Sequence, residues 1–196
     1  NEGFASLSLS LNIPGYPKTT KEISAFFDLV IDQFKIFLSA NRIEIAPECN
    51  QIDEAGNFFL ASLKSSDLSI QNTKKLCETF EERHELGRLI DIDVTDSKGN
   101  YISSGKNKLC FYCGSFSAFE CMRSKRHSYD DIRKLIFERI ASYLITQQKN
   151  KVCNKLASYA ARAILYEISL TPKPGLVDFN DSGIHEDMDY HTFIDS

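Results

Sequence analysis

The chain has 196 residues, 42% hydrophobic and 26% charged, with 14 Phe and 8 Tyr, the profile of a globular protein with enough apolar side chains for a sizeable core. A formal net charge of -4 argues against nonspecific binding to DNA or RNA, and no apolar run is long enough to span a membrane. The chain opens on Asn and breaks off in a helix-like run, so it reads as a fragment of a longer protein; three of its 6 Cys sit close together and the others singly, which suggests a reducing, cytoplasmic setting.

SLSLSLNI, Ser6 to Ile13, alternates strictly, with Leu7, Leu9, Leu11 and Ile13 on one face of a half-buried strand. Pro14 to Lys18 breaks it, and Thr19 and Glu22 have the spacing of a capping box. Ile23, Phe26, Phe27, Val30, Phe34, Phe37 and Leu38 then recur at helical spacing. Arg42 to Pro47 and Phe58 to Leu63 read as strands separated by a turn at Gly56–Asn57. A helix is expected from about Ile70 to Glu85, with Leu76, Cys77 and Phe80 inward.

GRLIDIDVT is the next strand, and DSKGN turns it back into YIS as a hairpin. Gly105 to Ser128 reads as loop. Ser128 and Asp131 cap a helix carrying Ile132, Leu135, Ile136, Ile140 and Leu144. Gln147 to Lys151 is polar and reads as a domain boundary. A last helix carries Leu156, Tyr159, Ala160, Ala163, Ile164 and Ile168, and Pro172 and Pro174 stop it.

Three constellations have chemistry in them. Ile90, Ile92 and Val94 make an aliphatic strand face, which puts Asp91 and Asp93 together on the opposite face. Like charges so close repel, and the arrangement calls for open solvent, a cation or a shared proton. A D-x-D pair can grip one Mg²⁺ together with substrate phosphates; the alternative is a solvated strand face. Glu81, Glu82, His84 and Arg88 crowd the approach. A third carboxylate there can act as a ligand or a base and Arg88 can hold a phosphate, or these are a wet helix face and an ion pair.

Cys110, Cys113, Cys121 and His127 form the second constellation. The first pair has zinc-knuckle spacing, and three thiolates with an imidazole fill a tetrahedral shell; the alternative is a set of reduced structural cysteines. Arg123, Lys125 and Arg126 follow, with Lys106 and Lys108 before, as a local anion-binding surface or a solubilising loop. The third runs from Leu170 to Phe193. A Lys-Pro-Gly turn at Lys173 precedes Asp178, Asn180, His185, Asp187 and Asp189, a ligand density that fits a nucleotide–metal site or an acidic tail.

SLNIPG, GRLIDIDV and C-x-x-C…C-M-R-S-K-R-H, in that order from about Leu7 to Leu144, resemble the holo-citrate lyase synthases, the apo-citrate lyase phosphoribosyl-dephospho-CoA transferases. LYEISLTPKPGLVD…H-E-D-M-D, from Asn150 onward, resembles the start of triphosphoribosyl-dephospho-CoA synthase. The order suggests the N-terminal part of a fusion of the two.

The resemblance implies a mixed sheet with helices in a nucleotidyltransferase-like α/β domain over residues 1–148, followed over residues 149–196 by the truncated start of an all-α domain. It implies transfer of the phosphoribosyl-dephospho-CoA group from a triphosphate donor to a serine of the citrate lyase acyl carrier subunit, with release of pyrophosphate. Asp91 and Asp93 become Mg²⁺ ligands, Glu81 or His84 takes the serine proton, and Arg88, Arg123, Arg126 and Lys173 bind phosphates. Asp178, Asn180, His185, Asp187 and Asp189 match the first motif of the second family, which makes the donor from ATP and dephospho-CoA. The chain departs from the first family in having Ser103–Ser104 and Lys106–Lys108 where arginines tend to stand, and a Lys keeps the charge without the bidentate fork. The rival readings are a zinc-stabilised protein-binding module without catalysis, and the same chemistry on another acyl carrier.

Overall fold

A computed structural model describes residues 4–66, 68–103, 105 and 108–170. The chain divides into two compact units, Asn1–Gln148 and Lys149–Ser196. In the first unit, strands β1 (Ser6–Leu11), β2 (Ile43–Asp53), β3 (Gly56–Ser66) and β4 (Ile90–Thr95) form one sheet in the order β2-β3-β1-β4. The α/β class stands, but the sheet expected to be mixed is antiparallel at every pairing among these strands.

The alternation of β1 sets the layer. Leu7 lies between Ala61 and Val94, and Leu9 between Phe59 and Ile92, all on one buried face. Helix α1 (Lys21–Ala40) covers that face with Ile23, Phe26, Phe27, Val30, Ile31, Phe34 and Leu38. Helix α2 (Ile70–Arg83) adds Cys77 and Phe80, and helix α4 (Tyr129–Leu170) adds Ile136, Ile140 and Tyr143. Each fully buried Leu, Ile or Phe contributes about 1.5–3 kcal/mol relative to exposure, so this stripe is the main source of the fold's stability.

Several boundaries differ from expectation for physical reasons. Thr20, not Thr19, caps α1: its Oγ1 accepts from Ile23 N at 3.3 Å. The second strand runs on through Pro47 because it is an edge strand with register irregularities at that point, where a missing N–H is tolerated. The turn sits at Glu54–Ala55, since Gly56 and Asn57 already pair with Asp53 and Ile52. Gly87–Leu89 is a single 3-10 turn and the strand starts at Ile90. The loop after it contains a short helix α3 (Ala118–Arg123), started by a capping box between Ser117 and Glu120. The polar stretch Gln147 to Lys151, expected as a domain boundary, contains the division between the two units and is helical within α4. In the second unit the described residues are the helical ones of α4 up to Leu170.

Candidate functional site

β4 is a sheet edge, with β1 on one side only. An open edge is a template for unwanted pairing. Here charged side chains close it. Lys74 Nζ donates to Ile92 O at 2.6 Å, Ile92 N donates to Glu81 Oε1 at 2.7 Å, and Lys108 Nζ donates to Ile90 O at 3.3 Å. Beyond them Ile102 N donates to Val94 O at 2.8 Å. The backbone of the D-x-D strand is therefore held by the same side chains that surround its aspartates.

A cleft of about 560 Å³ opens over this edge, and Asp91 and Asp93 both line it. Their side chains are 42% and 49% exposed, so neither is sealed from solvent. Each faces a lysine: Lys108 Nζ is 2.6 Å from Asp91 Oδ1, and Lys74 Nζ is 3.9 Å from Asp93 Oδ1. Part of the repulsion that the strand pattern raises is thus relieved by the protein itself. Glu78, Glu81, Glu82 and Arg88 complete the charged lining. Among the described residues, three cations face five carboxylates, which leaves two negative charges in excess.

Glu81 is buried, and burial pushes its carboxyl above the usual range, partly offset by the hydrogen bond and charge of Lys108. Its second oxygen accepts from Lys108 Nζ at 2.9 Å, so both oxygens are occupied. Burial alone would lower Lys108, but its bonds to Asp91 and Glu81 outweigh that and hold it above the ordinary lysine range. Gly87 makes the approach possible: a Cβ there would stand 1.5 Å from the Glu81 carbonyl oxygen, so only glycine lets the turn that carries Arg88 cross the end of α2.

His84, expected beside the aspartates, does not line this cleft. It points into the core side of the fold, 3.1 Å from Gln33 Oε1 and 3.1 Å from the Tyr143 hydroxyl through Nε2. Leu86 N donates to its Nδ1 at 3.0 Å, which fixes the neutral ring with its hydrogen on Nε2. Burial holds its pKa below the ordinary value. Arg123 and Arg126, expected on phosphates, are exposed and outside the cleft lining; the Arg126 guanidinium stacks 3.8 Å from the Phe116 ring. Lys173, Asp178, Asn180, His185, Asp187 and Asp189 lie outside the described residues, as does Lys106.

The cysteine cluster assembles. One ligand atom each from Cys110, Cys113, Cys121 and His127 lie within 4.8 Å of one another, and Cys113 Sγ is 3.7 Å from Cys121 Sγ. The local chain is a tight knuckle. Gly114 N bonds to Cys110 O at 2.9 Å, Cys110 N to Phe116 O at 2.7 Å, and Gly114 takes φ 63, which favours glycine. The backbone amides of Ser115 and Phe116 pull the Cys113 thiol down to about 6, while burial and the neighbouring sulfurs push Cys121 up to about 12. His127 Nε2 is buried without a hydrogen-bond partner among the described residues. Converging sulfurs, an amide-stabilised thiolate and an orphaned imidazole nitrogen are a donor set that could hold a metal such as zinc.

Sequence reasoning missed Lys74 and Glu78, and took Lys108 only as part of a basic loop. The available signal was spacing: Lys74, Glu78 and Glu81 fall on one face of α2, the face that also buries Cys77.

The family model for apo-citrate lyase phosphoribosyl-dephospho-CoA transferase matches residues 2–143, and that for ATP:dephospho-CoA triphosphoribosyl transferase matches residues 153–196. Protein CitXG of Leuconostoc mesenteroides subsp. cremoris is 33% identical over 199 residues, covering 96% of this chain and 41% of its own length. Protein CitXG of Haemophilus influenzae is 28% identical over 200 residues, covering 99% of this chain and 40% of its own length. The 2-(5''-triphosphoribosyl)-3'-dephosphocoenzyme-A synthase of Haemophilus ducreyi is 42% identical over 80 residues, covering 41% of this chain and 23% of its own length. The chain thus spans about two fifths of the two CitXG proteins, at 41% and 40%. Among the described residues no helix is long and apolar enough to cross a membrane.

Proposed function

Because the chain belongs to the apo-citrate lyase phosphoribosyl-dephospho-CoA transferase family, we propose that residues 1–148 transfer the phosphoribosyl-dephospho-CoA group from its triphosphate donor to a serine of the citrate lyase acyl carrier subunit. The observation that carries this reading is the β4 cleft, where Asp91 and Asp93 lie among Lys74, Arg88 and Lys108. In the reaction the serine oxygen bonds to the phosphorus next to the ribose and the bond to pyrophosphate breaks. The hydroxyl proton passes to a cleft carboxylate.

A polyanionic donor meets a cleft with two negative charges in excess, so a counter-cation is needed. Half-exposed aspartate oxygens on one strand face fit a hard divalent ion, and Asp91 and Asp93 would hold Mg²⁺, which supplies charge neutralisation for departing pyrophosphate. Lys74, Lys108 and Arg88 bind phosphate oxygens. Glu81, with both oxygens engaged, positions Lys108 and the strand and takes no proton. The Cys110–Cys113–Cys121–His127 knuckle holds a structural zinc, which needs reduced thiols and accords with a cytoplasmic protein. Residues 149–196 open a second domain that, in the whole protein, makes the donor from ATP and dephospho-CoA.

Purified chain, carrier subunit, donor and Mg²⁺ should give a mass increase on the carrier equal to the transferred group. Asp91→Asn, nearly isosteric, should abolish it without unfolding the protein. Carrier modified by the variant as fast as by the parent would remove Asp91 from the mechanism. The metal cluster also suits a binding module without catalysis; that reading requires zinc and has no need of Asp91.

A further inference from the structure

A second cavity of about 540 Å³ lies beside the cysteine knuckle, apart from the residues proposed to bind the phosphates and Mg²⁺ except at Arg88. Its walls are of a different kind from the charged cleft. Phe111, Tyr112, Phe119, Met122, Tyr129 and Ile132 line it, along with Cys110, Cys121 and His127 of the knuckle. Phe119 and Met122 are 64% and 61% exposed, apolar surface that a ligand would cover. Among the described residues Arg88 alone lines both cavities. Its Nε has no hydrogen-bond partner among the described residues. A molecule with a polyphosphate at one end and a flat apolar group at the other can therefore occupy both cavities across Arg88.

The geometry points to this second cavity as the subsite for the adenine ring of the donor, with Asn12 reading the edge of the base. The inference rests on the proposed transfer reaction, in which the donor carries an adenosine between its two phosphate arms. Aromatic walls favour a planar base, because every purine offers a face to stack and little freedom to lose. A pantetheine chain would surrender many rotamers in the same space. Among the described residues Asn12 is the one amide in the lining, exposed and with no side-chain hydrogen bond. A carboxamide can pair with the N6 amino group and N7 of adenine, donor to acceptor and acceptor to donor. Its backbone is fixed beside the strand that carries the aspartates: Asn12 N donates to Leu89 O at 2.8 Å. Asn12 and Pro14, both in the cavity wall, belong to SLNIPG, a stretch to which the charged cleft gives no role.

The test is calorimetric titration of the chain with four probes: dephospho-CoA, its deaminated (hypoxanthine) analogue, 4'-phosphopantetheine and inorganic tripolyphosphate with Mg²⁺. The parent should bind dephospho-CoA roughly 10-fold more tightly than the deaminated analogue, the size expected for one base-edge contact. Asn12→Ala should erase that preference and leave tripolyphosphate binding unchanged. Ala118→Trp, which fills the cavity, should weaken dephospho-CoA by about 10-fold or more with tripolyphosphate again unchanged. Equal binding of dephospho-CoA and its deaminated analogue by the parent, or dephospho-CoA binding untouched by Ala118→Trp, overturns the assignment. Phosphopantetheine binding that Ala118→Trp removes while the base preference survives overturns it too, in favour of the other arm of the donor. Carrier modification is scored separately. Its failure with the base preference intact removes the transfer reaction and keeps an adenine site; its success without the preference does the reverse.

Discussion

Lys108 Nζ stands 2.6 Å from Asp91 Oδ1 while also donating to the Ile90 carbonyl of the same strand, so one ammonium ties the aspartate to the edge that carries it. Its third partner is the buried Glu81, at 2.9 Å. Lys108→Met would leave Asp91 and Glu81 without the cation that contacts both, with the longer-range charges of Arg88 and Lys74 left to offset them. The lysine is 33% exposed, so water screens part of the change. The expected loss is about 1–3 kcal/mol of stability, the range for stranding a partly buried polar group. Transfer to the carrier should fall by about 100-fold, the effect of removing one donor aimed at developing charge. Urea melts and carrier mass spectrometry check both numbers, and a variant matching the parent in both would remove Lys108 from the site.

Gly87→Ala tests whether the turn geometry matters. The added methyl group would lie 1.5 Å from a backbone oxygen, not from a flexible side chain, so the end of α2 or the turn must move. Overpacking of this kind costs about 1–3 kcal/mol. Each kcal/mol is worth about 2–4 °C in a domain of this size. The melting temperature should therefore drop by several degrees, and donor binding should weaken because Arg88 is the next residue. An unchanged melting temperature would mean that the close approach to Glu81 is not required.

What the sequence carried and what it hid follow the range of the interactions. The strands and α1 could be read because alternation in Ser6–Leu11 and the 3.6 period of α1 are local patterns of burial. The knuckle could be read because its ligands are close in sequence. The edge chemistry of β4 could not: Lys74 and Lys108 each reach a strand carbonyl 18 residues away, and no periodicity announces a side chain that caps a backbone group. His84 shows the opposite error. Its neighbours in sequence suggest a site, yet its place is decided by Gln33 and by Tyr143, which are themselves 110 residues apart. The polar run from Gln147 to Lys151 could be read as the division between the two units, but not as helix, because polarity marks exposure and an exposed helix satisfies it as well as a loop does.

The knuckle should hold about one zinc per chain, and the metal should be a structural element. Binding to the folded state alone adds stability through mass action, about 4 kcal/mol when the ion is at a thousandfold excess over its dissociation constant. Chelation should thus lower the melting temperature by roughly 10 °C. Cys113→Ser should do the same in the absence of chelator. Purified protein without stoichiometric metal, whose melting temperature ignores both chelator and added zinc, would leave four convergent ligands with a packing role only.

His84 is neutral in the folded protein, since Leu86 N donates to Nδ1 and a proton there would break that bond. Burial lowers its folded pKa below the ordinary 6.5 of the unfolded chain. The unfolded state therefore takes up a proton first as the pH falls. The stability linked to this group is fully present above 6.5 and is lost as the pH drops toward the folded value. Melting temperatures should decline between about pH 7 and pH 5, and part of that decline should vanish in His84→Gln, which keeps a hydrogen-bonding side chain but cannot titrate there. Because His84 lies off the cleft, the same substitution should leave the pH profile of carrier modification unchanged wherever the variant is folded. A profile that loses its acid limb in His84→Gln would return the residue to the chemistry and overturn its placement in the Gln33–Tyr143 network.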